Sequence, residues 1–191
     1  MSIAQSISNF FEEYYPHNDE GLEELSSAFT SRVIPKGTTI LRESTTDDKL
    51  RFLNRGTIRE YYLSGVKEVN INFYLHQQFI TDLSSFINAT KTKKNQESLS
   101  EIEVFELDRE PFLRLLEKYE CAQDLIDQFF QKLLSSREKF EYNRMTKTPE
   151  ELYTELRIYK PEWLQKIPQY HIASYLGITP ETLSRIRSRI S

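Results

Sequence analysis

The stretch Gln169–Ile190, QYHIASYLGITPETLSRIRSRI, decides the reading of this chain. It spells two short amphipathic helices joined by a three-residue, glycine-containing turn, the layout of a helix-turn-helix. Ile172, Ala173 and Leu176 fall at i, i+1, i+4 and form one buried stripe. Ala173 is small where the two helices would cross, so their backbones can approach closely. Gly177 follows where the chain must swing into a left-handed conformation, and Ile178 plugs the bottom of the turn. Thr179 is the N-cap of the second helix, Pro180 its first helical residue, and Glu181 lies in its first turn. Leu183, Ile186 and Ile190 repeat at i, i+3, i+7 as its inner face. The outward arc then holds Glu181, Ser184, Arg185, Ser188 and Arg189, side chains able to reach base edges and phosphates. An αα-hairpin closing a helical domain would share this periodicity. The small residue, glycine, cap and outward arginines in one register favour the helix-turn-helix.

Charge outside this stretch has the opposite sign. The 191 residues carry 25 Lys and Arg against 29 Asp and Glu, a net charge of −4. From Lys160 onward five basic residues face two acidic ones, so that end is +3 and the remainder −7. An acidic body with a small basic end suits a protein that meets polyanions only through that end. One cysteine, Cys121, excludes a disulfide within the chain and points to a reducing compartment. No apolar run reaches the length of a membrane span, and MSIAQSISNFFEEYYP lacks the regions of a signal peptide. The expectation is a cytoplasmic protein with no membrane partner.

Residues 1–30 read as helical, with Ile3, Ile7, Phe10, Phe11 and Tyr14 at helical spacing and Leu22, Leu25 and Phe29 on a second short helix. From about Ser31 the pattern changes to short alternating strands, SRVIPKGTTILRE, LRFLNRGTIREYYLSGVKEVNINFYLH and IEVFEL, punctuated at Gly37, Gly56 and Gly65. Such spacing indicates an antiparallel barrel or sandwich. Residues 88–100, NATKTKKNQESLS, read as a polar loop. Asp108 caps a helix through Phe112, Leu115 and Leu116. The longest periodic segment carries Leu125, Ile126, Phe129, Phe130, Leu133, Leu134 and Phe140, a stripe wider than one packed face needs. It can serve its own domain with one part and a twin helix with the rest, so Ile126, Phe129, Leu133 and Phe140 are candidate dimerisation residues. Full burial within one domain is the alternative. Met145-Thr146-Lys147 reads as a hinge, Thr148-Pro149-Glu150-Glu151 as a capping box, and Pro161 and Pro168 as two further starts.

The order helix, short-strand barrel, long helix, hinge, helix-turn-helix resembles the Crp/Fnr superfamily of bacterial transcription regulators, over essentially the full chain. The likeness is strongest in GITPETLSRIRSRI, where Gly177, Glu181, Thr182, Arg185 and Ile186 sit where the family's recognition motif has them. Gly37, Gly56 and the segment Phe79–Phe86 (FITDLSSF) resemble its barrel turns and phosphate-binding cassette. The tail looks most like regulators of Bacteroidetes-type bacteria. The resemblance implies an α+β fold: an N-terminal antiparallel β-roll with flanking helices (1–118), a dimerisation helix (119–145) and a DNA-binding helix-turn-helix (146–191). With the chain stopping at Ser191, the usual wing must come earlier or be missing. It also implies double-stranded DNA, a second copy of the chain and RNA polymerase as partners. The candidate DNA contacts are Gln169, Tyr170, Thr179, Glu181, Thr182, Ser184, Arg185, Ser188 and Arg189.

Catalytic and metal chemistry finds little material. His17, His76 and His171 are scattered beside a single cysteine, too few for a zinc or iron–sulfur site. No phosphate loop, nucleophile elbow or HExxH helix occurs, so neither an enzyme nor a metal centre is expected. In the family's ligand cassette a glycine and a glutamate precede an arginine that neutralises the cyclic phosphate. The matching positions here are Thr81 and Asp82, and no arginine occurs from Thr81 to Val104. Asp82 can still accept a hydroxyl, and Lys93 or Lys94 can supply a point charge without bidentate geometry. Thr81, Asp82, Lys93 and Lys94 therefore mark a degenerate or altered effector pocket, with no cofactor and no cyclic nucleotide expected. An arginine from another strand, such as Arg59, could substitute. The competing functional reading is a small-molecule sensor whose DNA binding is secondary.

Overall fold

The computed structural model describes residues 2–14, 20–119, 131, 134–136 and 138–190. Two helices, α1 (Ile3–Tyr14) and α2 (Glu20–Ser27), precede β1 (Thr30–Ile34), β2 (Thr39–Leu41), β3 (Lys49–Arg55), β4 (Ile58–Ser64), β5 (Lys67–Tyr74) and β6 (Gln78–Phe79). Helix α3 (Leu83–Asn88), β7 (Asn95–Ser98), β8 (Ile102–Asp108) and α4 (Arg109–Lys118) complete this part. The strands form two antiparallel sheets, ordered β1-β8-β3-β6 and β2-β7-β4-β5. This is a jelly-roll-like β-core with flanking helices.

Strand alternation explains how the sheets are buried. Ile34, Leu53, Ile58, Ile80, Ile102 and Val104 fill the space between them. On the far side of the first sheet, Phe52, Phe105 and Leu107 meet Phe10, Phe86 and Phe112 from the helices. The Phe52 and Phe105 rings stack at 6.1 Å, and Phe10 and Phe79 stand edge-on to Phe52. Burying each such side chain contributes about 1.5–3 kcal/mol. At the β3–β4 turn Gly56 has φ +105°, and a Cβ there would lie 2.6 Å from the Glu101 carbonyl oxygen. Only glycine fits both the dihedral and the close approach.

One expectation needs correcting. Residues 95–98 are not part of a polar loop but form β7, paired with β2 and β4. Their polarity misleads because Asn95, Gln96 and Ser98 are buried against polar partners. Asp108 does precede α4, but its carboxylate turns to Lys49 and makes no cap bond.

After α4, helix α5 is described at 134–136 and 138–146. Four helices follow: α6 (Pro149–Tyr159), α7 (Pro161–Lys166), α8 (Gln169–Leu176) and α9 (Pro180–Ile190). The box at Thr148 forms as expected, with Thr148 Oγ1 accepting from Glu151 N and Glu151 accepting from Thr148 N at 2.7 Å. Tyr153, Leu156, Trp163, Ile167, Ile172, Ala173, Leu176, Leu183 and Ile186 share one core, which Phe73 and Leu75 of the β-core join. Gly177 closes α8 with φ +73°. The four helices are therefore seated on β5.

Candidate functional site

Three adjoining regions concentrate the polar chemistry of the molecule, and the first lies between the sheets. Thr81, Asp82, Lys93 and Lys94 separate here into two that meet and two that do not. Lys94 Nζ stands 3.3 Å from Asp82 Oδ1 and 3.7 Å from Glu60 Oε1. Burial pulls the Lys94 ammonium down, but Glu60 and Asp82 outweigh it and hold the pKa above its ordinary value. Glu60 also accepts from Tyr74 Oη at 3.0 Å and from Gln96 Nε2 at 2.8 Å. Gln96 Oε1, fully buried, has no partner. Asp82 accepts from Thr92 Oγ1 at 2.6 Å, while its backbone N–H donates to Asp47. Thr81 turns away: its hydroxyl accepts from Arg51 N and donates to the Lys49 carbonyl. Lys93 is exposed.

Neither nearby arginine is free for a ligand. Arg51 is buried between Asp47 and Glu106. Arg59, the candidate substitute, faces the outside of its sheet, where Glu68 and Glu97 hold its guanidinium over the Tyr61 ring. Burial raises the Asp47 pKa, with Arg51 only partly offsetting it.

The second region is the seat of the C-terminal helices on that outer face. Phe73 stands edge-on to Trp163 at 4.9 Å and lies 6.0 Å from the Tyr175 ring. Tyr175 also lies 5.6 Å from Phe140 of α5, and Arg144 donates to its carbonyl at 2.7 Å. Asn70 Nδ2 meets His171 Nδ1 at 3.2 Å, and the Asn70 N–H donates to Ser174 Oγ at 3.1 Å. Ser174 donates in turn to the Glu68 carbonyl at 3.0 Å. One hydroxyl thus satisfies two backbone groups of edge strand β5, which is otherwise open to pairing. Burial, then the charge of Arg59, pushes the His171 pKa down to about 4.

The third region is the exposed face of α9. Leu183 and Ile186 are buried, so Glu181, Ser184, Arg185, Ser188 and Arg189 project outward and are exposed. Thr179 Oγ1 accepts from Thr182 N at 3.3 Å and meets its hydroxyl at 3.2 Å. The Glu181 carboxyl is held below its usual range, first by its own backbone N–H and then by the Thr179 hydroxyl. Arg189 is committed within the chain, donating to Glu150 Oε1 at 2.6 Å. Gln169 and Tyr170 open α8 and are exposed. Of the dimerisation candidates, Ile126, Phe129 and Leu133 lie outside the described residues, and Phe140 packs half-buried on Tyr175.

Sequence reading missed Arg51, Glu60, Asn70, Gln96 and the role of His171. Parity carried a signal: Glu60 lies two residues from inward-facing Ile58 on the same strand.

Residues 31–119 match the family model described as the cyclic nucleotide-binding domain. The β-core has that domain's fold. Similar solved structures extend the likeness across the helices. The catabolite activator protein of Thermus thermophilus matches at TM-score 0.57 and 17% identity, over 93% of this chain and 85% of that one. A CooA mutant of Carboxydothermus hydrogenoformans matches at TM-score 0.66 and 15% identity, over 93% and 82%. The regulatory domain of Toxoplasma gondii PKA, crystallised with cAMP, matches at TM-score 0.55 and 16% identity, over 68% and 50%. No curated protein matches by sequence. The chain thus shares its fold with these solved structures, and residues 31–119 match the cyclic nucleotide-binding domain model. In this chain a lysine bound by two carboxylates occupies the polar interior of that fold. No described helix is long and apolar enough to cross a membrane.

Proposed function

We propose that this chain is a sequence-specific DNA-binding transcription regulator of the Crp/Fnr type, acting as a homodimer through a helix-turn-helix formed by α8 and α9. The carrying observation is α9 itself. Leu183 and Ile186 anchor it in the core while Ser184, Arg185 and Ser188 on its polar arc are exposed. An exposed arginine at the second turn of such a helix suits guanine O6 and N7 in the major groove. Glu181 serves first as a cap here and reads a base only if its carboxylate swings outward. The ion pair with Glu150 makes Arg189 a weak phosphate contact. A single short reading helix makes few base contacts, so two copies on half-sites about 34 Å apart give useful specificity. Leu134, Tyr142 and Met145 on α5 are large, apolar and exposed, which supports pairing there. In this reading the chain divides at about 118 and 145, and the barrel binds no cyclic nucleotide.

Selection of duplexes from a random DNA pool, followed by affinity measurement, tests the reading. Enrichment of a two-fold symmetric site is expected, with Arg185→Ala costing about 1–3 kcal/mol on it. Absence of any enriched sequence overturns the regulator reading. The second reading, a small-molecule sensor, draws on the match to the PKA regulatory domain. Ligand binding without selected DNA would favour it.

A further inference from the structure

The last turn of α9 is tied to α6 at two points. Arg189 donates to Glu150 Oε1 in the first turn of α6 at 2.6 Å, and Arg157 in the last turn of α6 donates to the Ile190 carbonyl at 2.6 Å. The second bond satisfies a carbonyl that a helix end leaves open, and it holds the end of α9 where Glu150 and Arg189 meet. Arg185, one turn earlier on the same outward arc, is exposed and carries no such bond among the described residues. The neighbouring acids are committed elsewhere: Glu151 completes the cap of α6 and Glu155 pairs with Lys147. Together with Glu150 they line one open groove of about 450 Å³ beside Ile190. This flank of α9 therefore carries three carboxylates, and Arg189 is turned toward it.

We propose that Glu150 stands in for a DNA phosphate: it occupies Arg189 in the free protein and so suppresses sequence-independent binding to duplex DNA. The proposal rests on the regulator reading of α8 and α9. Contacts to phosphate add affinity for every sequence and discriminate among none. An unbound arginine four residues from Arg185, on the same arc, would be such a contact. A carboxylate and a phosphate oxygen accept a guanidinium through the same charge-assisted hydrogen bond, so the two compete for Arg189. The pair is exposed at both ends, with side chains 66% and 45% accessible, and opening it costs binding up to about fivefold. The clasp is therefore a weak brake. It removes one contact from loose complexes on arbitrary DNA, yet it yields where Arg185 already holds α9 in the groove.

Binding of the full chain to a duplex of arbitrary sequence, followed from about 50 to 200 mM salt, tests the clasp. Each phosphate neutralised adds about 0.9 to the slope of log K against log salt concentration. Glu150→Gln keeps the shape of the side chain and removes its charge. It is expected to bind about two- to fivefold more tightly than the wild type, with a slope steeper by about 0.9. Adding Arg189→Ala to Glu150→Gln should return both values to those of the wild type. Both side chains are exposed, so folding is not at stake in either variant. A slope for Glu150→Gln equal to that of the wild type overturns the clasp. So does a steeper slope that persists in the double variant, because the lost carboxylate then acts without Arg189. If neither the wild type nor Glu150→Gln binds any duplex at the lowest salt, the regulator reading falls and the clasp with it. If both bind with one slope, the reading stands without the clasp.

Discussion

Lys94 stands between two carboxylates, 3.3 Å from Asp82 and 3.7 Å from Glu60. Its ammonium is the counter-charge shared by both acids between the sheets. Replacing it by an uncharged side chain of similar length leaves the two carboxylates to repel each other in a poorly solvated space. Lys94→Met is expected to cost on the order of 3 kcal/mol in chemical denaturation. Adding Glu60→Gln to that variant should recover part of the loss, because one uncompensated charge is then removed. A double variant no more stable than Lys94→Met would show that the carboxylates are not what the lysine compensates.

The same geometry bears on ligand choice. A cyclic phosphate is a permanent anion, and burying it requires pairing and hydrogen bonds. Arg51 and Arg59 are both tied to acidic partners, and Lys94 already serves two. Calorimetric titration with cyclic AMP and with cyclic GMP is expected to show no binding at micromolar concentrations. A micromolar or tighter dissociation constant for one, competed by the other, would overturn this.

Two of the barrel glycines separate dihedral strain from crowding. Gly37 has φ +80° with open space where a Cβ would go, whereas at Gly56 the Cβ meets backbone at 2.6 Å and the Ile102 side chain at 2.7 Å. Gly37→Ala should therefore cost about 1 kcal/mol, the strain of a positive φ alone. At Gly56→Ala steric overlap adds to the strain, and a loss of at least about 2 kcal/mol is expected. Equal costs in thermal denaturation would contradict the contact geometry.

What could be read in the sequence follows from how local each feature is. The α8–α9 turn depends on residues within a few positions of one another, and Gly177, Thr179, Leu183 and Ile186 all behave as their spacing indicates. The Thr148–Glu151 box is equally local. Strand β7 was hidden because polar residues usually signal solvent, and the partners of Gln96 and Ser98 come from 16 to 63 residues away. The Lys94 cluster was half legible: Asp82 and Lys94 share one short stretch, but Glu60 reaches them from another strand. Parity marks Arg59, between Ile58 and Glu60, as an outward residue, but no local pattern marks His171 as part of a seat, since that depends on how the helices pack on β5.

His171 provides a pH signature of that seat. The Asn70 amide lies 3.2 Å from its Nδ1, and with Nδ2–H donating there the imidazole is neutral and carries its proton on Nε2. Burial first, then the positive charge of Arg59, lowers its pKa from the ordinary 6.5 to about 4, while Glu97 and Glu68 act in the opposite direction. A histidine depressed in the folded state binds a proton more readily when unfolded. Its contribution to stability is therefore complete above pH 6.5 and is lost as pH falls through the window from 6.5 to about 4. Other groups titrate in the same window, so the comparison must be with a variant that keeps an acceptor but does not titrate. His171→Gln meets that need. Urea denaturation of the wild type should fall more steeply than that of His171→Gln between pH 6.5 and 4, with Trp163 quenching rising over the same range in the wild type alone. Parallel stability curves for the two proteins would mean that His171 is protonated in its seat, and the Asn70 contact would then need the opposite hydrogen-bond assignment.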